Sequence, residues 1–294
     1  MTTLTNLKGL PAPIVEAIIN DDYDRGDSDI SVTGLLAPPR ISALVEQYKD
    51  HLVEDASDRI WSLLGKSVHA MIDKSSSYGL SEERLFTTSR GWKVSGQFDH
   101  LSLREQEGKA VLNDWKVTSV YTLLSGSDRV IEWEKQLNMY ALLLFEHGHD
   151  IDEIEIIAIL RDWQNSRRGD DDYPDSAARS VPLSLWSPQE ARRFMDERVA
   201  EHQKAREVLP QCSDEDRWAK PNKYAAYGVT KAGTRTARAK RLFDDEAEAY
   251  DYATAIGGDV EYRQGDQWVR CRQYCPVVNF CTQFQEGGDT GTPQ

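Results

Sequence analysis

Residues 91–116 read GWKVSGQFDHLSLREQEGKAVLNDWK, and the architecture is built around them. Trp92–Leu103 has apolar residues at period two after Phe98. Lys109–Lys116 carries the apolar run Ala110, Val111 and Leu112. The polar turn REQEG between them predicts a β-hairpin. A turn about Gln106 and Glu107 makes cross-strand partners sum to about 213, which sets Asp99 opposite Asp114. Directly opposed Cβ atoms lie about 5 Å apart. Two carboxylates that close stay ionised together only with a cation between them. Lys116, two residues past Asp114, projects from the same face of its strand. Two acids and an ammonium on rigid strands predict a divalent-metal site equipped for metal-assisted phosphodiester cleavage.

The ordinary alternative is an exposed ion pair on a sheet edge, worth at most about 1 kcal/mol. Two features weigh against it. Asp114 and Lys116 end an apolar run, where a bare charge is costly without a partner. Phe98, Leu101 and Leu103 make the first strand half-buried as well.

Working outward, Ala12–Ile19 reads as a short amphipathic helix, and a second helix starts at Ile41 after Ala-Pro-Pro-Arg. Asp55–Lys74 is a helix whose stripe of Ile60, Leu63, Leu64, Val68, Met71 and Ile72 is expected to be apolar packing surface, with His69 on a neighbouring face. Strands follow at Arg84–Thr88, Trp92–Leu103 and Lys109–Lys116. A helix over Val130–Phe145 sets Gln136 and Tyr140 on one face. Glu153–Trp163 is β-branched and apolar enough for a central strand buried on both sides. Ser180–Leu185 is another strand. Ser187, Pro188 and Glu190 form a capping box that opens a helix to about Val208. Asp244–Ile256 is a helix ended by Gly257. A hairpin of Val260–Arg263 and Gln267–Arg270 leads into Cys271.

In this order, His69 within GKSVHAMID, Asp99 within GQFD, Asp114 and Lys116 within DWK, and Gln136 and Tyr140 within QLNMY resemble the PD-(D/E)XK nuclease superfamily. The nearest subgroup is the RecB-like exonucleases, with relatives in phage recombination and CRISPR adaptation. The resemblance covers about residues 30–281. The acid of the lysine triplet is Asp, a variation that the family pattern permits. The resemblance implies an α/β fold: a central mixed β-sheet flanked by helices, restriction-endonuclease-like, with a cysteine-pinned C-terminal extension. It implies a Mg²⁺- or Mn²⁺-dependent DNA nuclease, an exonuclease on single strands or DNA ends, in recombination, repair or phage DNA processing. His69, Asp99, Asp114 and the backbone carbonyl of Trp115 would bind metal. Lys116 would orient the nucleophile, and Gln136 and Tyr140 would position Lys116 or the DNA backbone. The expected organisation is an N-terminal helical arm (1–54), a nuclease core (55–210), a basic, four-cysteine module (211–284) and a disordered tail (285–294).

The chain has four cysteines, and three lie in RCRQYCPVVNFCTQF: Cys271, Cys275 and Cys281. The fourth is Cys212. Four thiolates can enclose a tetrahedral zinc or an iron–sulfur cluster. Zinc sites usually come as two close pairs, whereas here one distant cysteine joins a trio. RecB-like nucleases of related type hold a 4Fe–4S cluster through a remote cysteine and a C-terminal trio, so a 4Fe–4S cluster is the first expectation, structural Zn²⁺ the second and four unligated structural cysteines the third. This chain differs in that Cys212 follows the core rather than preceding it, and the first gap in the trio is three residues instead of two.

The formal net charge is −14, which is unusual for a nucleic-acid binder. Phosphate binding depends on local patches, however. From Arg217 to Phe243 there is no acid. Lys220, Lys223, Lys231, Arg235, Arg238, Lys240 and Arg241 are candidate DNA contacts there, with Trp218, Tyr224 and Tyr227 as stacking candidates. A solvated loop and helix face is the competing reading of this span. The N-terminus has no secretory-signal pattern and no apolar run spans a membrane, so a cytoplasmic location and no membrane partner are expected. A Walker P-loop is absent, so unwinding would come from a partner; a helicase, recombinase or single-strand-binding protein is the expected kind. Two rival functions are an inactive DNA-binding or assembly factor on a nuclease-like fold, and a small-molecule metallohydrolase.

Overall fold

The computed structural model describes residues 2–20, 26–75, 79–104, 108–124 and 128–288. The chain divides into two units, Met1–Leu209 and Pro210–Gln294. The first contains β1 (Thr3–Thr5), α1 (Ala12–Ile19), β2 (Ile30–Ser31), α2 (Val32–Leu36), α3 (Pro39–Tyr48) and β3 (Val53–Asp55). A 3₁₀ turn at Ala56–Arg59 leads into α4 (Ile60–Ser75). Then come β4 (Leu80–Ser81), β5 (Arg84–Ser89), β6 (Trp92–Gln97), β7 (His100–Arg104), β8 (Lys109–Thr118), α5 (Val120–Leu124), α6 (Asp128–Glu146), β9 (Glu153–Leu160), β10 (Ala178–Leu183) and α7 (Pro188–Glu207).

The architecture is mixed α/β, with several sheets flanked by helices in place of the one central sheet expected. The largest has the order β10-β9-β8-β7-β4 and is mixed: β8 and β9 are parallel and the other pairs antiparallel. A second sheet, β2-β6-β5, pairs β2 with β6 in parallel and β5 with β6 antiparallel. β1 and β3 form a small parallel pair. The stretch read as a separate arm, 1–54, is therefore woven into this unit.

Every residue from Leu137 to Leu144 in α6 is buried. More than two turns of continuous burial mean that the helix is covered on all sides. It packs on β5 and β6 of one sheet, on β8 and β9 of the other, and on α2 and α7. Its Leu137, Leu143 and Leu144 share a core with Val94 and Phe98, with Leu112, Ile154 and Ile156, and with Met195 and Val199 of α7. Helix α7 starts at the expected capping box: Ser187 Oγ accepts from the Glu190 N–H and the Glu190 carboxylate accepts from the Ser187 N–H.

Three expectations need correction here. Trp92–Leu103 is not one strand; it breaks at Phe98–Asp99 into β6 and β7, which belong to different sheets. The break follows from packing. A Cβ built on Gly96 would meet Leu143 Cδ1 at 2.5 Å and the Tyr140 ring at 3.0 Å, so only glycine lets β6 press this closely on α6. Phe98 then turns into the core, 1% exposed, and β7 departs. Secondly, the stripe of α4 is not core. None of its described side chains is fully buried, and Trp61, Leu64 and Met71 are exposed. Thirdly, the hairpin before Cys271 does not form: its first half is strand, but Cys271 lies in a helix.

The second unit contains α8 (Asp214–Arg217), β11 (Lys223–Tyr227), β12 (Arg241–Phe243), α9 (Glu246–Ala255), β13 (Asp259–Arg263), α10 (Val269–Gln273) and α11 (Thr282–Gly287). Its antiparallel sheet has the order β12-β11-β13. Of the tail expected to be disordered, 285–287 belong to α11, and 289–294 lie outside the described residues. Among the described residues no helix is long and apolar enough to cross a membrane.

Two predictions follow from this packing. Gly96→Ala should destabilise the protein by about 1–3 kcal/mol, because the added methyl would meet the buried Leu143 and Tyr140 and overpack the core; urea denaturation would measure it. His202 in α7 is 4% exposed and donates Nε2–H to Leu35 O at 3.0 Å. Burial, reinforced by the nearby Arg198 and Arg206, pulls its pKa down to about 4 despite the Leu35 carbonyl. A depressed histidine pKa favours the neutral form in the fold. Its contribution is complete above the unfolded value of about 6.5 and is lost as pH falls toward 4. Wild type should therefore lose on the order of 2 kcal/mol more than His202→Gln between pH 7 and pH 4. Parallel stability–pH curves for the two would contradict this.

Candidate active site

The register of the hairpin is as read from the sequence. His100 pairs with Asn113 and Arg104 with Lys109, so partners sum to 213. The turn residues 105–107 lie outside the described residues. The ladder stops at His100, one residue short of Asp99. Beyond that point β8 has lost its β7 neighbour while its ladder with β9 continues, so on the β7 side the peptide groups of Trp115 face no strand.

Two side chains take the place of the missing strand. The Trp115 N–H donates to Asp99 Oδ2 at 2.8 Å. The Trp115 carbonyl accepts from His69 Nε2 at 2.8 Å. His69 Nδ1 in turn lies 3.3 Å from Asp99 Oδ2. Burial pulls the His69 pKa down, but the Asp99 hydrogen bond, the charges of Asp99 and Asp114 and the Trp115 carbonyl together raise it above the ordinary histidine value. A protonated imidazole can donate from both nitrogens, and both have acceptors here.

Asp114 points to the buried side of β8 and is 2% exposed. Its Oδ2 lies 2.6 Å from Lys116 Nζ. The ammonium approaches outside hydrogen-bond angles, so that oxygen has a charge partner but no directed donor. Burial raises the Asp114 pKa to about 6; Lys116 opposes the rise and Asp99 adds to it. Lys116 has Asp114 as its ion-pair partner.

Sequence reasoning missed Glu82. It follows β4, has a left-handed backbone (φ 54°), donates its N–H to Asp99 O at 3.2 Å, and accepts from Gln97 Nε2 at 2.6 Å. His69, Glu82 and Asp99 offer ligand atoms within 4.8 Å of one another, the one such set of three among the described residues. Asp114 stands outside that set, held by Lys116. No signal in the sequence marked Glu82; it is one of two adjacent acids between short apolar segments. Gln136 and Tyr140 do meet, through Gln136 Nε2 to Tyr140 Oη at 3.0 Å, with the tyrosine ring against Gly96.

In the second unit, all four cysteines are free thiols. The Gln283 side chain clasps the Cys212 peptide, accepting its N–H at 2.8 Å and donating to its carbonyl at 2.9 Å. Burial, then Cys275 and Cys281, push the Cys271 thiol up to about 11. No three of the sulfurs lie within 4.8 Å of one another. Thiolates on a tetrahedral zinc sit about 3.8 Å apart, given Zn–S bonds near 2.3 Å, so no zinc cage is preformed.

The basic span is less positive than its composition suggests. Lys223 pairs with Asp244, Arg235 with Asp259 and Glu261, and Arg217 with Asp214. Lys220, Lys231, Arg238, Lys240 and Arg241 have no carboxylate partner among the described residues. Tyr227 is buried with Arg235 3.3 Å over its ring, Tyr224 packs on Tyr262, and Trp218 packs on Tyr274. The expected stacking aromatics are thus already engaged.

No family model matches this chain, and neither does any curated protein. Among solved structures, one described as "Crystal structure of SSO0001" aligns with a TM-score of 0.43 and 16% identity over 64% of this chain and 84% of that chain.

Proposed function

We propose that the first unit is a Mg²⁺- or Mn²⁺-dependent phosphodiester hydrolase that acts on DNA, as an exonuclease on single strands or DNA ends. The observation that carries this reading is the convergence of Asp99 and His69 on the peptide of Trp115, between the buried Asp114 and Lys116. Glu82 adds a further carboxylate beside them. Such a set of hard oxygen donors with one imidazole fits a small divalent cation, and the imidazole tilts the preference toward Mn²⁺. The raised pKa of Asp114 and its oxygen without a directed donor also fit a group made to meet a cation.

A bound Mg²⁺ or Mn²⁺ would supply Lewis-acid polarisation of the phosphate and a lowered water pKa. Asp99, Glu82, Asp114, His69 and the Trp115 carbonyl would hold it. As a ligand, His69 would be the neutral imidazole, released from the Trp115 carbonyl, with its extra proton lost to solvent. With Asp114 serving as a ligand, the Lys116 ammonium is left to orient the attacking water and offset charge on the scissile phosphate. Gln136 and Tyr140 act as positioning residues: Tyr140 backs Gly96 and so fixes the strand that delivers Asp99, and Gln136 donates to the Tyr140 hydroxyl. The unpaired Lys220, Lys231, Arg238, Lys240 and Arg241 of the second unit supply the phosphate contacts proposed for that unit.

For the cysteines we propose a structural 4Fe–4S cluster held by Cys212, Cys271, Cys275 and Cys281. The support is the clasp that brings Cys212 to the Cys281–Gln283 segment, together with Cys275 and Cys281 lying near enough to Cys271 to push its thiol up. A four-iron cube is larger than a single ion and spreads its thiolates more widely.

Lys116→Ala should lower Mn²⁺-dependent cleavage of DNA by about 10³-fold, a loss of the size expected for one charge-stabilising donor. Stability should fall by at most about 2 kcal/mol, because Asp114 can take up a proton instead of remaining an unpaired buried charge. Undiminished turnover by that variant, with EDTA as the control, would remove Lys116 from the mechanism, and a wild type that does not cleave DNA with Mn²⁺ would remove the nuclease reading. Protein purified without oxygen should show a broad visible absorption band and about four irons per chain. A colourless protein with one zinc would overturn the cluster assignment.

A further inference from the structure

Beside this site lies an exposed pair that the catalytic reading does not use. Trp61, in the first turn of α4, is 61% exposed, and the Arg161 guanidinium lies over its ring at 4.4 Å. Arg161 is itself exposed and has no carboxylate partner among the described residues. The adjacent acid, Asp162, is occupied by the Val120 N–H at 2.7 Å.

Two independent routes tie this pair to the site. Along α4, Trp61 precedes His69 by eight residues, about 12 Å. Along the sheet, the Arg161 N–H donates to Thr118 O at 3.0 Å, and Thr118 follows Lys116 by two residues on the same face of β8, about 7 Å away. Tyr121, 72% exposed, opens α5 just beyond. A surface cation–π pair contributes about 0.5–1 kcal/mol, and that gain does not require the indole to stand in water. An aromatic face held in place by a guanidinium with free donors is suited to one ligand: a base for the ring and a phosphate for the charge.

We propose that Trp61 and Arg161 form a subsite for an unpaired nucleotide of the DNA strand being cleaved. Trp61 stacks on the base and Arg161 holds its phosphate. At the 3.4 Å repeat of a stacked strand, about 12 Å corresponds to roughly three nucleotides from the scissile phosphate. Duplex bases are stacked on each other and offer no face to Trp61, so the subsite selects single strands. This inference deepens the nuclease reading and rests on it. Leu64 and Met71 are also exposed along α4, and a protein partner covering the helix is the rival occupant. The guanidinium over Trp61, without a carboxylate partner among the described residues, favours the nucleotide.

The test is fluorescence anisotropy of a fluorescein-labelled oligothymidylate with the full chain in EDTA, over a salt series, with duplex of the same length for comparison. Trp61→Ala should weaken single-strand binding roughly tenfold, leave duplex binding unchanged, and leave the salt slope unchanged. Trp61→Phe should restore most of the affinity. Arg161→Gln should lower the slope of log K against log salt by about 0.7, the value for one phosphate contact on a single strand. Wild-type single-strand affinity in both Trp61→Ala and Arg161→Gln, in a protein that binds and cleaves DNA, would overturn the subsite and leave the nuclease reading standing. The expected losses in a protein that never cleaves with Mn²⁺ would keep the subsite and remove the nuclease. A wild type that binds no oligonucleotide would overturn the subsite.

Discussion

The peptide of Trp115 is the point on which the site depends. Its N–H and carbonyl lie on a nearly buried strand just where the neighbouring strand has turned away. Buried backbone groups must be paired, and the side chains of Asp99 and His69 do the pairing. One backbone requirement thus fixes the position of a carboxylate and an imidazole from two distant parts of the chain. Asp114 and Lys116 flank the same residue, so all four groups are held to one short segment of β8. Sites built on strands are positioned more precisely than sites on loops.

The strand turns away because α6 lies between the sheets. Gly96 brings β6 against Tyr140 and Leu143, and Phe98 then anchors the chain in the core. Asp99 sits at the resulting bend, free of any ladder, with its carboxylate available. Packing and chemistry are joined here: the glycine of GQFD serves the helix contact, and the aspartate three residues on serves the site. Tyr140 belongs to the packing side of that link. Its contact with Gly96 explains why a buried tyrosine on α6 matters to a carboxylate it does not touch.

Charge is handled differently in the two units. In the first, the buried Asp114 is balanced by Lys116, and its proton affinity is raised by burial. In the second, a stretch with no acid of its own is partly neutralised by acids from outside it, Asp214 before it and Asp244, Asp259 and Glu261 after it. A run of basic residues therefore does not by itself make a positive surface. The cation pairs that remain open in each unit can be identified only once those partners are in place.

Much of the local structure was legible in the sequence. The hairpin register followed from the turn chemistry of REQEG and from period-two burial. The α7 start followed from Ser187, Pro188 and Glu190, and α1 was bounded by its own apolar spacing. These signals act over a few residues, and the physics behind them is equally short-ranged. The break between β6 and β7 was not legible, because it depends on contact with a helix far along the chain. Glu82 was not legible either, because its approach to His69 and Asp99 is set by which strand β4 joins. The same holds for α4, whose apolar stripe reads as core by period alone. Periodicity tells which residues share a face, but only the assembled sheets decide whether anything covers it. The sequence by itself determined many of the elements and the register that sets Asp99 level with Asp114. The tertiary structure decided which groups converge on Trp115, because unpaired peptide groups are created only when strands part company in three dimensions.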